Sequence, residues 1–253
     1  MQKEKTDEIR QRFKCAREEE LPALMLLYKD DTRSAVQSLI RSARSRLDKL
    51  EKERERLDLM REYERRYASY GLVCGVDEAG RGPLAGPVVA GAVILPDNCE
   101  ILYLNDSKQL TEKRREALYD EIMEKAVAAA VGIVGPGRID EINILQADYE
   151  AMCEALGKLS VVPAVLLNDA VTIPQVRIRQ VPIIHGDAKS LSIAAASVLA
   201  KVTRDRLMLE YDDIYPEYGF AKHKGYGTAE QIAAVRKYGP SPIHRKSVLK
   251  NIL

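Results

Sequence analysis

At Gly71 the chain changes character, and that change constrains its fold more than any other feature. The 70 residues up to Tyr70 hold 18 Lys/Arg, 15 Asp/Glu and one Gly or Pro, Pro22. From Val36 their apolar positions fall at Ile40, Ala43, Leu47, Leu50, Leu57, Met60, Tyr63 and Tyr67. Steps of three, four and seven keep one stripe on one side of a helix. Ile9, Phe13 and Leu24 to Leu27 predict a shorter partner helix, with Lys29-Asp30-Asp31 as the turn of a helical hairpin. Such a charged helix can lie solvated on a core, pair with another chain or bind nucleic acid, and the pattern leaves all three open.

Beyond Gly71, short apolar runs alternate with helical stretches. Leu72 to Val76 is a buried-strand pattern that stops at Asp77-Glu78, and Pro87 to Leu95 is a second such run across a Gly/Pro-rich turn. Those two can pair as neighbours. Thr111 is placed to N-cap a helix from Glu112 to about Ala130, followed by a strand at Val131–Val134 and a helix over Asp140–Leu159. Val161–Leu167 and Val176–Ile184 complete five strands, the fourth ending at Asn168-Asp169 and the fifth at His185-Gly186-Asp187. Ser190 opens a helix of small residues, Ser192 to Ser197, suited to close packing on a sheet. Strands interleaved with helices make this an α/β layer protein. The last forty or so residues, with Pro216, Gly219, Gly225, Gly227, Gly239, Pro240 and Pro242 around a helix near Thr228–Tyr238, form a helical and loop appendage. The expected division is therefore 1–70, 71–210 and 211–253.

Composition narrows the function. Hydrophobic residues at 46% and charged ones at 30% exclude extended disorder. The polar N-terminus and the lack of an 18-residue apolar run argue against a signal peptide or a membrane span, so the expected location is the cytoplasm. Cys15, Cys74, Cys99 and Cys153 form no C-x-x-C pair, which speaks against zinc or a disulfide framework. Net charge is only +1, but residues 201–253 carry ten Lys/Arg against six Asp/Glu together with His223 and His244, a candidate phosphate-facing surface.

The strongest chemical signal is that three strands end in carboxylates: Asp77 and Glu78, then Asp169, then Asp187. In an open α/β sheet such ends can meet in one crevice. Four carboxylates there repel one another, by about 4 kcal/mol per pair at 4 Å and an effective dielectric near 20. A positive charge must sit among them. With no His or Cys constellation at hand the ligands are all oxygen, which suits Mg²⁺ or Mn²⁺ and the two-ion chemistry of phosphodiester cleavage. Asp106 and Asp205 have the same chemistry, but Asp205 lies on a predicted helix between Arg204 and Arg206, where an ion pair accounts for it.

Gly75-Val76-Asp77-Glu78-Ala79-Gly80-Arg81-Gly82-Pro83-Leu84-Ala85-Gly86-Pro87-Val88 resembles the opening motif of the ribonuclease HII family. Asn105 to Leu110, Ile139 to Leu145, Gly186-Asp187 with Ala194 to Asp205, and His223 to Thr228 extend the likeness in order and approximate spacing. It covers residues 71 to about 247, and the 1–70 stretch is similar to extensions of some members. The resemblance implies an RNase H-like mixed sheet flanked by helices. It also implies hydrolysis of RNA in RNA–DNA hybrids, incision 5′ of ribonucleotides embedded in duplex DNA, and 3′-hydroxyl and 5′-phosphate products. Carried across, Asp77, Glu78, Asp169 and Asp187 would bind the catalytic metal. Gly80, Arg81 and Gly82 would approach the ribonucleotide junction through backbone amides, Tyr226 would sense the 2′-hydroxyl, and Lys108 would hold a phosphate. Without the motif, the two glycines serve a tight turn, Tyr226 is a half-buried aromatic, and Lys108 and Arg81 are surface cations. The sequence departs at Asn168-Asp169-Ala170, where the family usually has an aliphatic residue before the aspartate and often glycine after it. A type 3 ribonuclease H is the nearest rival, although residues 1–70 lack strand periodicity. A non-catalytic nucleic-acid-binding protein on the same fold is the other. A monomer is expected.

Overall fold

The computed structural model describes residues 4–250. Contacts divide the chain into two compact units, Met1–Arg56 and Leu57–Leu253.

In the first unit, α1 (Thr6–Cys15), α2 (Leu21–Leu27) and the start of α3 (Ser34–Met60) enclose a small core of Ile9, Phe13, Leu21, Tyr28, Val36 and Ala43. The expected partner helix is split in two, because Ala16 and Arg17 adopt extended backbone between its halves. At the turn before α3, Asp31 accepts from the guanidinium of Arg33 at 3.0 Å.

The second unit takes in the end of α3 and α4 (Glu62–Tyr67), then β1 (Val73–Ala79), β2 (Val88–Ile94), α5 (Glu112–Lys125), β3 (Ala128–Val134), α6 (Pro136–Ile142), α7 (Ile144–Gly157), β4 (Val165–Asp169), β5 (Arg179–Ile183), α8 (Leu191–Ile214), α9 (Phe220–His223), α10 (Ala229–Tyr238) and α11 (Lys246–Leu249). The sheet runs β3-β2-β1-β4-β5. β1 pairs antiparallel with β2, and β2 with β3, while β1, β4 and β5 are parallel. It is the expected mixed sheet flanked by helices, with β1 and β2 neighbours as anticipated.

The strand bounds shift by a few residues, with the fourth and fifth strands beginning at Val165 and Arg179 rather than Val161 and Val176, and two larger differences have local reasons. The alanines at 128–130 join β3 rather than prolonging α5, since Ala128 opposes Ile94 and Ala130 opposes Ala92 on β2. The single helix expected over 140–159 breaks at Asn143, whose backbone turns left-handed (φ 69°) and whose side-chain oxygen caps the amides of Leu145 and Gln146. Thr111 and Ser190 cap α5 and α8 as anticipated.

Helix α8 lies across β1 and β2 at a separation that only small residues permit. A Cβ on Gly75 would stand 2.1 Å from the carbonyl carbon of Ser192, and one on Gly91 would stand 2.4 Å from the oxygen of Ala196. Ile193 to Ala196 are fully buried there. On the other face, α7 sets Ala147, Ala151, Met152 and Ala155 against Val88, Ala90 and Ala92. The carboxylate-bearing ends of β1 and β4 are thus fixed between two helical layers.

Candidate functional site

Asp77 and Glu78 lie within β1 rather than just past it, opposite Gly91 and Ala90. Asp77 is buried, and burial together with the charge of Glu78 pushes its carboxyl well above the usual range, though a Ser197 hydroxyl bond opposes this. Glu78 is raised mainly by burial and further by Asp169, while Arg81 pulls it down. Asp169 closes β4 and accepts the amide of Gly186 at 2.7 Å, which ties it to the turn that carries Asp187. Asp187 is raised by burial, then by Asp106 and Asp169. The four carboxylates forecast from sequence therefore belong to one electrostatic neighbourhood.

Two cations lean into it. Lys108 Nζ stands 4.0 Å from Asp187, and Arg81 Nη1 stands 3.6 Å from Glu78. Partial burial alone would lower Lys108, yet the charges of Asp106, Asp77, Asp187 and Glu78 together raise it. Among the described residues, no three His, Cys, Asp or Glu side chains stand close enough to hold a metal ion as they are. The donor set nevertheless fits a hard divalent cation. It is all carboxylate oxygen, and burial followed by the repulsion of neighbouring carboxylates raises Asp77, Glu78 and Asp187, a strain that a bound cation would relieve.

The rim is held by two buried arginines that sequence reasoning missed. Arg245 donates to the carbonyls of Gly80 (2.6 Å), Arg81 (3.0 Å), Gly86 (2.9 Å) and Pro87 (3.1 Å). Arg204 donates to Pro87, Ala85 and Lys224. Carbonyl partners leave no sequence signal, because any residue supplies one. Burial and the adjacent Arg204 pull Arg245 down to about 9. Gly80 is obligatory here: its φ is +99°, and a Cβ would stand 2.2 Å from Arg204 Nε. Gly82 lies beside Tyr226, 3.9 Å from its Cε1 by the same construction. Tyr226 is 46% exposed and its ring centroid is 5.9 Å from the Arg204 guanidinium. Gly80, Arg81, Gly82 and Tyr226 therefore share one rim. The C-terminal segment is integral to this rim, since Leu84 donates to Gly225 and Arg245 donates to Leu84 through their backbones.

Asp205 is ion-paired, but with Lys201 at 2.6 Å and Arg115 at 3.6 Å rather than with its sequence neighbours, which point elsewhere on a helix. Asp106 borders the cluster and raises Asp187. The family departure has a structural cost: Ala170 takes a left-handed backbone (φ 55°) that favours glycine.

A further carboxylate went unread. Asp148 on α7 is fully buried, with Arg81 Nε at 3.7 Å. Burial, then Glu78, push it up to about 8 against the opposing pull of Arg81. No apolar run precedes it, so the strand-end signal that found the other four was absent.

Residues 74–250 match the family model for ribonuclease HII, and residues 5–68 match that for the ribonuclease HII N-terminal domain. The chain belongs to the ribonuclease HII family. It is 63% identical over 225 residues to ribonuclease HII of Lachnoclostridium phytofermentans, covering 89% of each chain. Along the whole of both chains it is 48% identical to ribonuclease HII of Clostridioides difficile. Among solved structures it resembles the ribonuclease H2 of Pyrococcus horikoshii, with a TM-score of 0.60 and 32% identity, covering 72% of this chain and 96% of that one. Family membership makes it a ribonuclease H hydrolase, a divalent-metal-dependent endoribonuclease of RNA–DNA hybrids. Among the described residues, no helix is long and apolar enough to cross a membrane.

Proposed function

We propose that this chain incises duplex DNA on the 5′ side of an embedded ribonucleotide and also cuts the RNA strand of longer hybrids. Water attacks phosphorus and the bond to the upstream O3′ breaks, leaving a 3′-hydroxyl and a 5′-phosphate. The observation that carries this reading is the convergence of Asp77, Glu78, Asp169 and Asp187 beside a rim formed by the Gly80–Gly82 turn and Tyr226.

In this reading Asp77, Glu78, Asp169 and Asp187 hold Mg²⁺ or Mn²⁺. The bound cations supply the Lewis acidity that favours ionisation of the attacking water and stabilises the leaving oxygen. The chain's own part is positioning. Arg245 and Arg204 bind the carbonyls of the 80–87 loop, which fixes where its amides meet the nucleic-acid backbone. The half-exposed ring of Tyr226 offers a stacking face and a hydroxyl beside the ribose, whose 2′-oxygen separates RNA from DNA. Lys108, with 79% of its side chain exposed, can leave Asp187 for a phosphate. The chain acts as a monomer in the cytoplasm.

The test is a DNA duplex that carries one ribonucleotide, incubated with Mg²⁺ or Mn²⁺ and resolved at single-nucleotide length. Nicking 5′ of the ribonucleotide with a 3′-hydroxyl end is expected. Cutting confined to multi-ribonucleotide tracts would point to type 3 behaviour, and binding without cutting to a silent protein.

A further inference from the structure

Asp148 is an unusual group to bury. It is 0% exposed, and neither carboxylate oxygen has a hydrogen-bond partner. A carboxylate kept from water without hydrogen bonds destabilises a fold, so burial alone does not explain its presence. Its charged neighbour is Arg81, whose Nε lies 3.7 Å away. The Nη1 of the same guanidinium lies 3.6 Å from Glu78. One positive charge is therefore shared by two carboxylates, one placed for metal and one on the helix behind it. Arg81 keeps 43% of its side chain exposed, so it is free to shift between them or to swing out to solvent.

We infer that Asp148 is a positioning residue for Arg81: it retains the guanidinium beside the Gly80–Gly82 turn when a divalent cation takes Glu78. A cation arriving at Glu78 has to displace Arg81 from that carboxylate. With Asp148 in place, the arginine has a second anion within reach and the exchange costs little. Without Asp148, the arginine depends on Glu78 alone and competes with the metal for it. The inference rests on the proposed role of Glu78 and adds a residue outside the strand-end set.

The test reads metal binding without turnover. Mn²⁺ affinity is measured by calorimetry on the full-length protein, without nucleic acid, under argon at pH 8.5. The variants are Glu78→Gln, Asp148→Asn, Arg81→Met and the Asp148→Asn/Arg81→Met double. Asp148→Asn is expected to weaken Mn²⁺ binding about three- to tenfold, the scale of a partly screened charge near the site. In the Arg81→Met background the same substitution should have a clearly smaller effect, because the competitor is gone. Asp148→Asn should leave the melting temperature unchanged or higher, whereas removal of a purely structural residue would lower it. No loss of affinity, or an equal loss in both backgrounds, would overturn the inference while leaving the site intact. If Glu78→Gln itself left Mn²⁺ affinity unchanged, the metal assignment would fail, and the inference with it.

Discussion

Asp77 shows how much one residue can be asked to do. It sits in the middle of the sheet, buried against α8, with Glu78, Asp169 and Ser197 around its carboxyl. Asp77→Asn keeps the shape and removes the charge. Loss of several kcal/mol of transition-state stabilisation is expected, a fall in kcat on the order of 10³-fold. Binding of a hybrid should change little, since phosphate and sugar contacts carry most of the hydrogen bonding in protein–nucleic acid complexes. Single-turnover cleavage and fluorescence anisotropy on the same preparation check both halves, and normal turnover would remove Asp77 from the site. At this scale the sequence was informative wherever an acidic residue ended an apolar run. It was silent on Asp148, Arg204 and Arg245, whose importance comes from neighbours 20 to 165 positions away.

Element by element, the alternation of apolar runs and helices forecast five strands, and the small residues of 192–197 forecast the close seat of α8. The segment just before β1 was harder to read. Leu57 and Met60 bury in the same core as Leu191 and Val198, and Tyr63 and Tyr67 pack on Val73 and Val165. Glu64 Oε1 accepts from Ser190 Oγ (2.6 Å), Ser192 N (2.8 Å) and Ser192 Oγ (2.7 Å), a carboxylate at the first turn of α8. An uninterrupted helical stripe gives no sign that its last turns serve a different core from its first. Glu64→Gln should therefore cost about 1–3 kcal/mol, the price of a charged cap, in urea unfolding. A chain starting at Leu57 should keep a higher urea midpoint than one starting at Gly71. Equal midpoints would mean that residues 57–70 add nothing to the catalytic unit.

For the whole molecule, the crowded carboxylates make stability depend on pH, and the proposed cation would add a dependence on metal. A carboxyl raised in the folded state keeps a proton that the unfolded chain has already released, so stability falls as pH rises toward the folded value. For Asp148 that span runs from 3.8 to about 8. His244, buried and lowered from 6.5 to about 4, acts in the opposite sense, adding stability as pH rises to 6.5. Above pH 6.5 only the carboxyl effect remains between these two. Metal-free protein should melt at progressively lower temperature from pH 6.5 to 8, and Asp148→Asn should flatten that slope. At pH 8, Mn²⁺ at about a hundredfold excess over its Kd should raise the melting temperature by roughly 5–10 °C. A metal-free melting temperature that rises across this window would contradict the electrostatic picture.

The most direct measurement is anomalous X-ray scattering from crystals grown with Mn²⁺ and a hybrid duplex. Manganese peaks bonded to carboxylate oxygens of Asp77, Glu78, Asp169 and Asp187, next to the phosphate 5′ of a ribonucleotide, are the expected result. Manganese bound elsewhere, or a scissile phosphate lying away from these four side chains, would contradict the account.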